Sequence, residues 1–308
     1  MNLIVNGIKE LRTPQTLFHK LHGVLLEFIA PAIRNDEFYL KLKWNYRMKS
    51  SLDIKHPKTF NEKLQWLKVN DRRPEYTKMV DKVEAKKYVA DIIGNECIVP
   101  TLAVYNRVED IDFDALPNQF VLKCSHDSGG IVICNDKTKL DRNDAIKKLR
   151  RGLKTNYFSL HREWPYKDVK PRILAEEYLE DESGWQLKDY KIFCFNGEPK
   201  FIEVDYDRYV GHKLNVYDLN WNFVDFYMTS PNDRNVAIPR PEQLDKMLEY
   251  ARKLSKGITF LRVDFYSINS KIYFGELTFH PGSGWIDFHP KEYDYKLGEM
   301  LSLPIDRK

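Results

Sequence analysis

The sequence predicts an α+β fold, in which antiparallel hairpins pack with amphipathic helices. Three observations carry that prediction. From Arg262 to Gly284, apolar and polar residues alternate on both sides of Asn269-Ser270, the pattern of a β-hairpin. From Leu187 to Val204, a second such stretch surrounds Asn196-Gly197, a strong turn signal. Between and before these lie stretches with helical apolar spacing, such as Val80–Val89.

The hairpin from Arg262 organises the chain. Side chains repeat every second residue along a strand, so Arg262 and Asp264 share one face, and Glu276 and Thr278 share one on the next strand. With a loop of Asn269 to Lys271, Ile268 faces Ile272 and Asp264 comes opposite Glu276. Like charges placed opposite each other destabilise a sheet. Two readings follow. Either the hairpin is a solvated acidic one, or a cation such as Mg²⁺ sits there, taking hard oxygen ligands and bridging to phosphates.

Composition sets the bounds. The 308 residues are 43% hydrophobic and 31% charged, as in a globular chain. With 49 basic and 45 acidic residues the net charge is +4, too balanced for a nucleic-acid partner but suited to a small anionic substrate. Cys97, Cys124, Cys134 and Cys194 form no Cys-x-x-Cys pair, which excludes the usual zinc and redox motifs and fits a reducing cytoplasm. The most apolar early run, Leu21 to Ile33, contains His22, Glu27 and Pro31. It is too short to span a bilayer and no secretory signal is visible. It reads as a helix docked on the rest of the protein, with a surface-lying amphipathic helix as the alternative.

The remaining elements are taken in order. Residues 1 to about 70 are expected to be helical, with Thr59 as a cap, Glu62 as its capping-box partner, and Phe60, Leu64 and Leu67 on one stripe. Val80–Val89 is expected to be one helix, on which Lys82 alone reads as a surface charge. After Gly94, Cys97–Tyr105 reads as a strand. Phe120–Cys134 reads as strand, small-residue loop, strand, with Lys123 near the end of the first. Ser128-Gly129-Gly130 lets backbone N–H groups approach an anion closely, although a plain hairpin turn explains the glycines equally well. The stretch lacks P-loop spacing, and no dinucleotide-binding fingerprint follows the first strand. Residues 141–160 read as a basic helix capped by Asp141, and Arg172–Leu179 as a strand. Tyr206–Tyr217 is polar and aromatic and holds Arg208, His212, Lys213 and Asn215. Helices are expected at 240–256 and Pro290–Leu303. His126, His280 and His289, with Asp287, match no metal-ligand spacing.

The ordered set of phrases resembles the ATP-grasp superfamily. It is most similar to the TupA-like branch, found among teichuronopeptide and capsular polysaccharide enzymes. Thr-Phe-Asn-Glu-Lys-Leu-Gln-Trp from Thr59, Phe-Val-Leu-Lys-Cys from Phe120 and Ile-Leu-Ala-Glu-Glu-Tyr-Leu-Glu from Ile173 carry the likeness. So do the stretch Asp189–Lys200 and Gly-Glu-Leu-Thr-Phe-His-Pro-Gly-Ser-Gly from Gly275. It covers about residue 55 to the end.

The resemblance implies an ATP-grasp fold, with a nucleotide held between two α+β lobes and an extra helical N-terminal region. The regions would be 1–70, 71–182 with the phosphate loop, and 183–308 with the metal-binding hairpin. It implies ATP and Mg²⁺ as cofactors. Lys82 and Lys123 would hold the phosphates, and Ser125 to Gly130, including Ser128 and Gly129, would close over them. Glu176 and the Glu177-Tyr178-Leu179 backbone would contact adenine, and Asp189 would reach the ribose or a phosphate. Lys191 would sit near the γ-phosphate, Asp264, Glu276 and Thr278 would ligate Mg²⁺, and Arg262 would hold the acyl phosphate. Substrate contacts are expected among Arg208, His212, Lys213, Asn215, His280 and Ser283. Two residues depart from the family pattern: Thr278 stands where most members have Asn, and Asp127 where this branch commonly has Gly.

The activity implied is an ATP-dependent, ADP-forming carboxylate–amine ligase. It would join an amine to a uronic acid or amino acid in the cytoplasm, with peripheral contact to membrane-linked glycan machinery at the inner face. No kinase catalytic-loop motif is present. A glycan-pathway transferase, of glycosyltransferase or kinase type, and a nucleotide-binding assembly factor without turnover remain the alternatives.

Overall fold

The computed structural model describes residues 23–127, 129–184, 187–207 and 211–307. Residues 23–29 are helical and docked through Leu26 and Ala30, while Val24, Leu25 and Phe28 face outward. The first part of the expected helix, Leu21-His22, lies outside the described residues. No described helix is long and apolar enough to cross a membrane.

Two capped helices follow. Asn35 accepts the Phe38 N–H at 2.9 Å and starts α1, Asp36–Met48. Thr59 and Glu62 form the expected capping box at the start of α2, Phe60–Asn70. Phe60, Leu64 and Leu67 of α2 enter a core with Phe193, Phe195 and Phe260.

The single helix expected over Val80–Val89 is two helices, α3 (Glu75–Val80) and α4 (Glu84–Ile93). The break lies at Asp81, whose ψ of 110° is not helical. Its carboxylate is pulled out of the helix by the Arg172 guanidinium at 2.6 Å and accepts the Val83 N–H at 3.0 Å. Lys82, next in the chain, therefore lies off the helix, and its backbone N–H bonds Ser125 O at 3.1 Å.

A four-stranded antiparallel sheet has the order β1-β4-β2-β3, from Thr101–Tyr105 (β1), Phe120–Cys124 (β2), Ile131–Cys134 (β3) and Ile173–Glu177 (β4). Helix α5, Arg142–Leu153, covers it, with Leu149 packed among Phe120, Leu122 and Ile173. The helix expected to reach residue 160 stops at Leu153. Asn156 leaves helical geometry and caps a separate short helix, α6, Tyr157–His161, by accepting the Ser159 N–H at 2.9 Å.

A six-stranded antiparallel sheet has the order β10-β9-β5-β6-β7-β8. Its strands are Asp189–Phe195 (β5), Glu198–Tyr206 (β6), Lys213–Tyr217 (β7), Phe223–Val224 (β8), Phe260–Ile268 (β9) and Lys271–Thr278 (β10). Ile192 and Cys194 point to the core shared with α7, Leu244–Ser255, while Phe193 and Phe195 point to the core shared with α2 and α8, Glu292–Met300. Both faces are thus buried.

The two predicted hairpins form, each with a two-residue turn. Asn196 and Gly197 have φ of 51° and 86°, and Asn269 and Ser270 have 47° and 58°. The three-residue loop expected at Asn269–Lys271 is therefore corrected: Lys271 pairs with Ile268. That register alone would put Asp264 opposite Gly275. A bulge between Phe274 and Glu276 adds the missing step, and Asp264 pairs with Glu276 as expected, by a different route. The first hairpin also shifts, between Phe193 and Cys194, which brings Lys191 opposite Glu203.

Candidate active site

A cleft of about 210 Å³ opens between the two sheets, and its walls carry the charged candidate residues of the phosphate and metal sets. Lys82, Lys123, Lys191 and Arg262 meet Glu176, Asp189, Asp264 and Glu276 there. An adjoining slot of about 130 Å³ is lined by Glu177, Tyr178 and Leu179 and by the apolar side chains of Val99, Ile131 and Leu187. The two spaces share Lys123, Glu176 and Asp189, so they are one cleft with a charged end and an apolar end.

Sheet register positions the charged end. On β9, Asp264 lies between Lys191 of β5 and Glu276 of β10. Arg262 projects from the same face and donates to both Asp264 oxygens, at 2.7 and 2.6 Å, and to Glu276 at 2.9 Å. Its guanidinium thus neutralises the carboxylate pair. Burial opposes the Arg262 charge, but Asp264 and Glu276 outweigh it and raise its pKa. Burial and Glu276 push Asp264 up to about 7 against the pull of Arg262. Burial also works against the charge on Glu276, yet Arg262, Lys82 and Lys191 hold it below the ordinary carboxylate value. Lys191 pairs with Glu203 at 3.0 Å and closely with Asp205. Burial opposes its charge too, and Glu203 with Asp205 more than compensates, so its pKa is raised.

The junction of the two ends has its own ion triad. Glu176, 5% exposed, pairs with Lys86 at 2.6 Å and Lys123 at 2.7 Å. Burial works against its charge, but the two ammonium groups keep its pKa low. In this state the Glu176 side chain fixes the two lysines. Lys82 Nζ donates to Asp127 O at 2.5 Å.

The residues fit a divalent cation. Asp264 and Glu276 converge on one cleft wall, and the Thr278 hydroxyl lies 3.3 Å from Glu276 Oε1. A cationic group, the Arg262 guanidinium, already occupies their oxygens. Two carboxylates suffice for Mg²⁺ when substrate phosphates complete its shell. Among the described residues no group of three or more His, Cys, Asp or Glu forms a metal cage.

The sequence profile of TupA-like ATPgrasp proteins matches residues 62–302. The chain belongs to the TupA-like ATP-grasp family. Its fold is the ATP-grasp fold. Similar solved structures include D-alanine–D-alanine ligase from Bacillus anthracis, at 14% identity over 72% of this chain and 66% of that one, with a TM-score of 0.41. Another is the ADP complex of purK, N5-carboxyaminoimidazole ribonucleotide synthetase, at 14% identity over 71% and 50%, with a TM-score of 0.42. A third is the ATP-grasp ligase PsnB with a phosphomimetic variant of its minimal precursor, Mg and ADP, at 12% identity over 77% and 62%, with a TM-score of 0.38. The chain spans 53% of the Bacillus anthracis ligase in its ATP complex and 61% of the Helicobacter pylori D-alanine–D-alanine ligase. No curated protein matches the chain.

Within this TupA-like chain the other candidate residues are dispersed. Ser125 is fully buried; its hydroxyl donates to Lys170 O at 3.2 Å and accepts the Arg172 N–H at 3.1 Å, fixing the base of the loop. Ser128 and Arg208 lie outside the described residues. Gly129 is exposed, with open space where a Cβ would stand. Gly130 packs on Cys124, and its N–H donates to Asp127 Oδ1 at 3.1 Å. The Asp127 carboxylate therefore closes its own loop. Lys213 pairs with Asp233 at 2.6 Å, and Asn215 accepts the Asp233 N–H at 2.9 Å. His212 lies between Asp205 and Ser230, at 3.3 and 3.0 Å. His280 and Ser283 are buried against Glu163.

Lys86 and Tyr166 line the cleft without having been singled out by sequence. Lys86 follows Lys82 by four residues, a spacing that could have flagged it. Tyr166 carried no signal.

Proposed function

We propose that the protein is an ATP-dependent carboxylate–amine ligase that forms an amide through an acyl phosphate. The observation that carries this reading is the charged end of the cleft, where Arg262, Lys191, Asp264 and Glu276 share one wall near Lys82 and Lys123. Phosphoryl transfer asks mainly for position and for neutralised charge. The apolar slot beside Glu177-Tyr178-Leu179 takes the nucleotide base. Lys82 and Lys123 exchange their present oxygen partners for phosphates. Asp264, Glu276 and Thr278 would hold Mg²⁺, which supplies charge neutralisation to the phosphates.

Arg262 presents the paired donors that suit a carboxylate or a phosphate. A carboxylate needs no general base, because its reference pKa of roughly 4 leaves it ionised at neutral pH. One of its oxygens attacks the γ-phosphorus and ADP leaves. The amine nitrogen then attacks the acyl carbon and phosphate leaves. In this proposal the acid is a uronate or an amino acid of surface-polysaccharide assembly, and the regions 1–70, 71–182 and 183–308 divide the work as scaffold, phosphate lobe and metal lobe.

Hydroxylamine tests the reading. With ATP, Mg²⁺ and the acid substrate, a hydroxamate should form together with an equal amount of ADP. Arg262→Ala should remove hydroxamate formation more than nucleotide binding. Formation of AMP and pyrophosphate, or phosphorylation of a hydroxyl without hydroxamate, would sink the proposal.

A further inference from the structure

Tyr166 lines the cleft beside Arg262 and Glu276 and lies within the electrostatic reach of both. Its hydroxyl donates no hydrogen bond to any described residue. Burial first, then Glu163, Tyr157 and Glu276, raise its pKa well above the ordinary phenol value, so the group is a neutral donor.

The ring is held by a segment built for rigidity. Tyr166 ends a short turn, Trp164–Tyr166, and the Tyr157 ring packs 4.7 Å from it. Arg162, 2% exposed, donates to Ala30 O at 2.6 Å and Ile33 O at 2.9 Å and pairs with Asp36 at 3.0 Å. Tyr39 Oη donates to Leu160 O at 3.0 Å, and Lys68 Nζ to His161 O at 2.9 Å. The helices before residue 62 supply most of these bonds, and they precede the part of the chain that the family profile matches. So much order around one turn holds a free hydroxyl at the charged end of the cleft.

We infer that Tyr166 binds the acid substrate, its phenol donating to the carboxylate oxygen that is not phosphorylated while Arg262 engages the other side. This rests on the ligase reading. The chemistry selects the acid over the amine: a donor aimed at the attacking nitrogen would occupy its lone pair, whereas a carboxylate beside Arg262 accepts. A neutral donor also adds no charge where five cationic side chains already stand. The N-terminal helices then set substrate fit through the seat of Tyr166.

The test is Tyr166→Phe, which keeps the ring. Wild type and variant are assayed for hydroxamate and ADP with glucuronate, galacturonate, D-alanine and L-glutamate. For the acid that wild type uses, KM should rise about tenfold, the effect of losing one hydrogen bond to a charged group. The dissociation constant for a non-hydrolysable ATP analogue and the melting temperature should stay unchanged. An unchanged KM overturns the inference alone. A loss of analogue affinity as large as the change in KM assigns the hydroxyl to a phosphate and also overturns it. If wild type forms hydroxamate with none of the four acids, the ligase reading falls, and this inference with it.

Discussion

Arg262 holds two carboxylates at once, so removing either has a defined consequence. Asp264→Asn or Glu276→Gln should abolish Mg²⁺-dependent turnover while the fold, read by circular dichroism, persists. Thr278→Ala should do less and Thr278→Asn should be tolerated. Wild-type activity in both carboxylate variants would end the metal-site assignment. Lys123→Met should weaken ATP binding by about 1.5–3 kcal/mol, the range for a charge-assisted hydrogen bond. Glu176 keeps Lys86 as a partner in that variant, so the melting point should barely move while calorimetry reads the loss of affinity. The charged wall was legible in the sequence because alternation fixes which side chains share a face. Asp127 was not: its carboxylate satisfies the Gly130 N–H, a turn bond that no periodicity announces. Ser125 looked like a loop residue and is a buried anchor for the same reason.

At the scale of the element, caps and the places of the turns were read correctly, while the length of the second turn and the helix breaks were not. Thr59→Ala should cost about 1 kcal/mol in denaturant unfolding, the usual worth of such a cap, and leave nucleotide affinity unchanged. A change in ATP affinity would give α2 a role beyond scaffolding. The capping box and both hairpin turns are local chemistry, so a few residues specify them. The break at Asp81 depends on Arg172, which is remote in sequence, and the local bond from the Val83 N–H does not by itself announce a break. The bulge at Gly275 did leave a trace. Ile272 and Phe274 are buried two residues apart, and Leu277 follows after three, with a glycine at the skipped step.

For the whole molecule, the joint between the N-terminal helices and the rest carries a buried ammonium. Lys68 is fully buried and donates to His161 O and Ser283 O, at 2.9 and 2.8 Å. Burial lowers its pKa to about 7 against the opposing effect of Glu163. An unfolded lysine titrates near roughly 10.4. Between about 7 and 10.4 the unfolded chain therefore holds a proton that the folded chain has released, and stability gains from Lys68 as pH rises through that window. Lys68→Met should remove this gain. Melting temperatures of both proteins across pH 7 to 10 measure it, and parallel curves would contradict the assignment. The α+β class and the family were legible because strands, helices and motif phrases are contiguous. The clamp on residues 157–166 was not, because it joins side chains and carbonyls about a hundred residues apart, and such pairings have no period.

The skipped step in the second hairpin also makes the chain unequally sensitive to changes of length. Deleting Gly275 leaves every other residue of Lys271–Thr278 across from its present neighbour, since the register closes without it. Deleting Lys271, Ile272 or Tyr273 keeps Asp264 across from Glu276 only by turning a core residue, Ile272 or Phe274, to the other face, and deleting Phe274 removes a core residue outright. One residue in this hairpin is thus outside the reading frame of the sheet, and shortening by one is compatible with both the core and the carboxylate pair at that place alone.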